Sequence, residues 1–417
     1  LWRDDLSRSF LYAQRALELL PEDEVDWRGI SLLAIGIEQL LAGEVDAAQR
    51  TIMDAQVLCR IGQNTYSALA ATDMLARTYL AQAQLDQAEQ LYQQILTDTG
   101  ELEALRTDRG LALAGLGLIA YERNDLTAAE AYAAQAANLD SAGGDEEVRV
   151  RAALLLARVA QARRQGAAAK DRLRSLAART QRTLWQREVS AWQAWLALAA
   201  EDVTTAQHWL ATRAPHSGNV LASQQELEAV IAARLNIAEG QPDAAVTLLE
   251  PWRVDAQAHG RTRSELEILS VMALAYAAQS DLTQAKQLLL KAFTLAQPAG
   301  CVRAFVDEGA AMKTLLQAIA PELTKRALMI FAARVLQAFA PTRSVSATPL
   351  SPLLEPLSSQ EQRVLKLLAA GLSNPEIARE LVVSTNTIKT QVKSIFNKLN
   401  VNNRVEAADV ARELNLL

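Results

Sequence analysis

Seven times along the chain a short polar turn leads into an amphipathic stretch with an alanine at a fixed place, in the strings GEVDAAQ, AQLDQAE, NDLTAAE, QGAAAKD, EDVTTAQ, QPDAAVT and SDLTQAK. The anchors are Ala48, Ala88, Ala129, Ala169, Ala206, Ala245 and Ala285, at intervals of 40, 41, 40, 37, 39 and 40 residues. Twelve residues before each lies a small one (Gly36, Ala76, Gly117, Ala157, Ala194, Ala233, Ala273), and four after it an apolar one (Ile52, Tyr92, Ala133, Leu173, Leu210, Leu249, Leu289). Two helices joined by a tight turn need small side chains where their backbones come closest and larger apolar ones further along the seam. The pattern therefore predicts seven helical hairpins, with first helices near 24–42, 65–83, 104–123, 145–164, 183–200, 220–239 and 261–279. No hairpin of this kind covers its own apolar faces, so the units are expected to stack into a right-handed solenoid with a concave surface. Residues 4–20 fit the second helix of a further unit, whose apolar face (Phe10, Leu11, Ala13, Leu17, Leu20) is expected to lack its partner; the chain starts without Met and reads as a piece of a longer protein.

Beyond residue 300 the pattern changes. A less regular helical pair over 304–340 is expected to close the solenoid, and Pro341, Pro349, Pro352 and Pro356 among Ser and Thr predict an extended tether at 341–356. From Leu357 onward, Ser358–Glu361, Ser373–Glu376 and Asn403–Glu406 each pair a capping oxygen with a Glu three residues on, predicting helices that begin near 359, 374 and 404. Gly371 is placed to end the first of these, and a further helix follows Ser384, a cap in its own right, to about Leu399. Val364, Leu367, Leu368, Ile377, Ala378, Leu381, Ile388, Val392, Ile395 and Leu399 recur at helical spacing and can share one small core. Only Val382, Val383 and Ser384 separate the second and third helices, the spacing of a helix-turn-helix. The domains are thus expected at 1–300 (solenoid), 301–340 (closing helices), 341–356 (linker) and 357–417 (four-helix DNA-binding module), an all-α architecture.

Composition agrees: half the residues are apolar but only 5% aromatic, which favours helices. The net charge is −6, so the field of the whole molecule repels DNA and any nucleic-acid site must be local. Residues 357–417 hold eight Lys and Arg against six Asp and Glu, and Lys389, Lys393, Lys398 and Arg404 are separated by no acid between Leu381 and Val405. With Ile388 and Val392 turned inward, Asn386, Lys389, Thr390, Lys393 and Asn397 fall on the outer face, with Thr385 able both to cap and to contact; such side chains approach bases and phosphates without stranding apolar surface. Lys398 and Arg404 are further phosphate candidates.

The string LSSQEQRVLKLLAAGLSNPEIARELVVSTNTIKTQVKSIFNKLNVNNRVEAADVA closely resembles the LuxR-type helix-turn-helix across the whole module. That resemblance implies major-groove contacts by Lys389, Thr390 and Lys393, Thr387 near a phosphate, and dimerisation through the last helix, about 404–414. The repeats are similar to tetratricopeptide repeats, though some forty residues long rather than 34. Together with Gly300–Gly309 (GCVRAFVDEG), the combination resembles the large MalT-like regulators, whose N-terminal part is a signalling ATPase that would lie upstream of this chain. No GxxxxGK[ST] phosphate loop is present, so no cofactor is expected here.

Other features leave alternatives open. Trp185, Trp192, Trp195, Trp209 and Trp252 fall within two repeats and could line an inducer or partner site, or simply pack. The basic set Arg149, Arg151, Arg158, Arg163, Arg164, Lys170, Arg172 and Arg174 could bind an anion or form a solvated face. Cys59 and Cys301, and His208, His216 and His259, show no disulfide or metal-ligand spacing, and no nucleophile–base constellation points to an enzyme. With no signal segment or membrane span, the expectation is a cytoplasmic regulator that binds double-stranded DNA, answers to an inducer or protein partner and acts on the transcription machinery. A protein-interaction scaffold is the rival reading.

Overall fold

The computed structural model describes residues 6–100, 102–140, 145–213, 221–340, 358–381, 383–399, 401, 403–404, 407–408 and 411. All regular structure among them is helical. Helix α1 (Leu6–Leu19) precedes seven hairpins: α2 (Val25–Leu41) with α3 (Val45–Ile61), α4 (Thr65–Ala81) with α5 (Leu85–Thr99), α6 (Arg106–Glu122) with α7 (Leu126–Asp140), α8 (Glu146–Ala162) with α9 (Gly166–Arg179), α10 (Thr183–Ala199) with α11 (Val203–Thr212), α12 (Ala222–Ala238) with α13 (Pro242–Ala258), and α14 (Thr262–Ala278) with α15 (Leu282–Ala296). Short α16 (Arg303–Val306), α17 (Gly309–Ile319) and α18 (Arg326–Ala338) follow, then α19 (Ser359–Ala369), α20 (Asn374–Glu380) and α21 (Thr385–Leu399). The chain forms two compact units, Leu1–Leu323 with Val335–Pro341, and Thr324–Arg334 with Thr342–Leu417, so α18 contributes to both. The tether expected at 341–356 lies outside the described residues.

The predicted repeat is the observed one. All seven anchor alanines are completely buried, and Gly36, Gly117 and the five alanines that share their position are buried too. A Cβ at Gly36 would sit 2.4 Å from Ile52, which is why the position admits only the smallest side chains. Each hairpin turn holds one residue with positive φ (Gly43, Ala83, Asn124, Arg164, Glu201, Gly240, Ser280), and the next amide donates to a carbonyl five residues back, at 2.8–2.9 Å. That bond satisfies a carbonyl orphaned by the helix end, enough to hold even Ala, Arg, Glu and Ser in a conformation glycine adopts freely.

First helices form the inner layer and pack on one another from unit to unit; second helices form the outer layer. Burial follows: α14 buries residues on every side, from Glu265 to Ala275, whereas α15 buries only Ala285, Leu289, Ala292, Phe293 and Ala296 on one stripe. In the fifth hairpin α11 is short, and buried Trp209 takes the role expected of half-buried Leu210. On α1, Phe10 is buried in the cluster that holds Leu33 and Ile37 of α2 and Ala13 is buried too, while Leu11, Tyr12 and Leu19 stay exposed.

The solenoid curls until distant units meet. Arg261, ahead of α14, donates to the Gly43 carbonyl in the first hairpin turn (2.9 Å) and to Glu226 and Asp255 (3.0 and 2.6 Å). Further along, Val302 donates to the Glu122 carbonyl (2.8 Å), Tyr121 to Asp307 (2.9 Å) and Arg303 to Asn124 (3.2 Å), while Phe305 is fully buried against Phe293, their ring centroids 4.5 Å apart. The GCVRAFVDEG stretch is therefore a plug inserted against the third hairpin. Around it runs a chain of inward ion pairs: Arg263 and Arg158 with Glu122 (2.6 and 3.5 Å), Arg234 with Glu267 (2.9 Å) and Glu308, and Arg77 and Arg151 with Glu147 (2.8 and 2.9 Å). Burial pushes the Glu122 carboxyl up, but Arg263 and Arg158 outweigh it and hold the group below its usual range; Arg77 and Arg151 do the same for Glu147.

Candidate nucleic-acid interface

The C-terminal module is built on one small core of Val364, Leu365, Leu368, Ile377, Ala378, Ile388, Val392, Ile395, Leu399, Val401, Ala407 and Ala411, with Leu367 and Leu381 packed at its edge. The capping boxes at Ser358–Glu361 and Ser373–Glu376 are both formed, each with Ser amide and Glu carboxylate 2.7 Å apart. Gly371 has φ +89° at the end of α19. The third box includes Glu406, which lies outside the described residues; Asn403 accepts the Ala407 amide through its carbonyl (3.0 Å). Between α20 and α21 the Val383 amide returns to the Ala378 carbonyl (3.0 Å), and Ser384 caps α21 by accepting from the Thr387 amide (3.1 Å).

Because α21 turns Ile388, Val392, Ile395 and Leu399 into the core, its opposite face must be solvated. Thr385, Asn386, Thr387, Lys389, Thr390 and Lys393 are all exposed there. Two hydroxyls are oriented from within: Thr387 pairs with Ser384 (2.7 Å) and Thr390 donates to the Asn386 carbonyl (3.1 Å). The arrangement offers two ammonium groups, an amide and three hydroxyls from one rigid rod whose width fits a DNA major groove. The Asn397 side chain lies outside what is described.

The other basic candidates are placed differently. Lys398 is half-buried and donates to Glu361 (2.9 Å); Arg404 donates to the Leu372 carbonyl (2.6 Å) while remaining exposed. Both tie helices of the module together, so the stripe of cations seen in sequence narrows to Lys389 and Lys393 on the outer face. Glu361, read in sequence only as a cap, also accepts from Ser394 (2.7 Å). Burial pushes it up, but bonds from Lys398, Ser358 and Ser394 hold its pKa down at about 2. No sequence signal links positions 33 and 37 residues apart in this way.

In the solenoid, Trp185, Trp195 and Trp209 are buried in one core cluster with Trp192 packed against it; Trp252 belongs to another cluster. Trp192 and Trp195 meet edge to face (5.4 Å between centroids), and Arg158 lies over the rings of Tyr121 and Trp192 (4.3 and 4.9 Å). The basic set also divides. Arg151 and Arg158 point inward to Glu147 and Glu122 and Arg163 pairs with Glu130, so neither an anion site nor a solvated face describes these three; Arg164, Lys170, Arg172 and Arg174 are exposed. Cys59 and Cys301 are free and buried.

A repeat solenoid joined to a module whose second helix-turn-helix member presents a polar, cationic outer face defines a DNA-binding transcription regulator. Residues 3–322 match the family model of the MalT-like TPR region, and residues 355–411 that of bacterial regulatory proteins of the luxR family. The chain belongs to the MalT-like regulators, and its C-terminal module to the luxR family. Similar proteins include the HTH-type transcriptional regulators MalT of Vibrio campbellii (31% identical over 225 residues, 50% of this chain and 25% of that protein) and Klebsiella pneumoniae strain 342 (30% over 233 residues, 51% and 25%). The MalT regulator of Vibrio cholerae is 46% identical over 59 residues, 14% of this chain and 6% of that protein. These matches span about a quarter or less of the relatives' length. Among the described residues no helix is long and apolar enough to cross a membrane.

Proposed function

We propose that the protein binds a specific operator in double-stranded DNA as a dimer, with α21 in the major groove, Lys389, Thr390 and Lys393 at base edges and Thr387 near a phosphate. Thr385 and Asn386, at the start of the helix, lie where a recognition helix meets bases and backbone. The last helix, beginning at Arg404, supplies the dimer contact. The solenoid receives an inducer or protein partner and passes that state to the transcription machinery, and no cofactor is needed within this chain. The observation that carries the reading is the division of α21: every apolar residue faces the core, and the exposed face is polar and cationic.

The test is selection of bound fragments from genomic DNA, followed by footprinting on the selected sequence. A protected site with two half-sites about one helical turn apart supports the dimeric reading. Recovery of no sequence above background would overturn operator recognition and favour a scaffold that uses the module to dock protein.

A further inference from the structure

Where first helices end and second helices begin, polar groups pair across neighbouring units. Arg123 reaches Asp86 and Glu89, Arg163 reaches Glu130, Gln82 reaches Asp46, Gln279 reaches Asp243 and Lys286 reaches Glu322, always 33 to 37 residues away. Helix α9 departs from that rule. It buries Ala169, Leu173 and Leu176 on one stripe and exposes Lys170, Arg172, Arg174 and Arg179 on the remainder, with Asp171 as its one acid. Lys170 and Arg174 stand on one flank of the exposed half and Arg172 and Arg179 on the other, so the cations span the width of the helix. Among the described residues the one ion pair these four make is Arg174 with Asp171 (2.9 Å), both partners exposed. The preceding outer helix, α7, carries two acids and no Lys or Arg, and the following one, α11, carries neither acid nor Lys or Arg.

We propose that the outer face of α9 is a second, sequence-independent DNA contact that engages the phosphate backbone beside the operator. The inference rests on the DNA-binding reading of the C-terminal module and adds a surface to it. Outside that module the chain carries a net charge of −8, so DNA repels most of the solenoid and attracts it at α9, an outer helix with four exposed cations against one acid. Four exposed cations against the single Asp171 leave a net positive face, and the polyanion that the DNA-binding reading supplies for it is DNA. Nothing in α9 reads bases: four flexible cations on an otherwise alanine-rich helix position a backbone without specifying sequence.

The test compares the full chain with its Arg172→Glu, Arg174→Glu, Arg179→Glu triple variant, binding a random-sequence duplex across a salt series. All three side chains are exposed, so the fold is expected to persist, checked by unchanged helical circular dichroism. Loss of three phosphate contacts should make the log–log salt dependence shallower by about two to three and weaken binding by about tenfold or more at low salt. Lysine acylation is the second readout, independent of the variants: duplex should protect Lys170 in the parent chain. Equal affinity and slope for parent and variant, or full reactivity of Lys170 in the bound state, would overturn the α9 contact while leaving the module's role intact. Failure of the parent to bind any duplex would overturn both. Duplex binding that ignores the triple reversal, together with poly-glutamate binding that is lost with it, would reassign the face to an acidic protein.

Discussion

The two units use charge in opposite ways. The solenoid turns part of its charge inward: Arg234, Arg263, Arg158 and Arg77 meet carboxylates of other hairpins, some in the next unit, as in Arg158 with Glu122, 36 residues apart, and some distant, as in Arg263 with Glu122, 141 residues apart. The C-terminal module keeps its core apolar and places charge at helix starts and on the outer face of α21. The curvature of a repeat array is the sum of small rotations between neighbouring units. Buried ion pairs between units that are not neighbours add a constraint on that sum, because their desolvation is offset only when both partners arrive in register. The small module needs no such device, since its shape is set by one core and two tight turns. Inward charge in the solenoid thus constrains shape, whereas the exposed charge on α21 is left free for a ligand.

Removing one partner of an axial pair is the strongest way to break this comparison. Arg234→Met leaves Glu308 buried without its guanidinium, and Glu267 short of one, and should destabilise the solenoid by about 3–5 kcal/mol. Urea unfolding should show an earlier transition for the solenoid's share of the helical signal. Adding Glu308→Leu should recover much of the loss; if the double variant is as unstable as the single one, the stranded charge is not the cause.

Glycines sharpen the same contrast. A Cβ at Gly117 would lie 2.7 Å from Leu155 and 3.3 Å from the Ala129 carbonyl, so Gly117→Val should cost the solenoid about 1–3 kcal/mol through overpacking. Gly371 has open space around it and φ +89°, so Gly371→Ala should cost the module about 1 kcal/mol through backbone conformation alone. Thermal unfolding of the two variants should show each loss in its own unit.

How legible each unit was in the sequence follows from the range of its interactions. The seven hairpins were visible because the anchor alanines, the small residues twelve before them and the turns repeat within one unit's length, and capping boxes act over three residues. The inward pairing of Arg263 with Glu122, the plug made by Val302 to Asp307 and the tie from Lys398 to Glu361 were not visible, since each joins positions that no local period relates. For that reason Arg158, which shares Glu122 with Arg263, looked like one of a basic set that binds an anion or stays solvated, and Lys398 like part of the DNA-facing stripe. The outward set from Thr385 to Lys393 could be placed because one helix and its buried stripe determine it.

If charge on α21 serves a ligand rather than the fold, Lys389→Ala or Lys393→Ala should leave unfolding midpoints unchanged. Each should weaken binding to a selected operator by about 1–3 kcal/mol per half-site, measured by titration with labelled duplex. A shift in stability without a change in affinity would reverse the assignment.

The smallest effect concerns Glu361, a carboxylate of the module that, like those of the solenoid, joins separate helices. Glu361 caps α19 and also holds Lys398 and Ser394 of α21, which keeps its pKa at about 2. In the unfolded chain a glutamate titrates near ~4.3, so the folded state binds this proton less readily than the unfolded one. Glu361 therefore contributes stability that is fully present above that unfolded value and is lost as pH falls from it through about 2. Glutamine can still complete a capping box but cannot carry the charge, so Glu361→Gln should remove the charge-dependent part of that stability at neutral pH. It should also flatten the acid limb of the module's stability between those two values. Unfolding followed through the module at a series of acidic pH values makes the comparison. Parallel acid limbs in parent and variant would show that the tie from α19 to α21 does not depend on the charge of Glu361, and that the module relies on its apolar core alone.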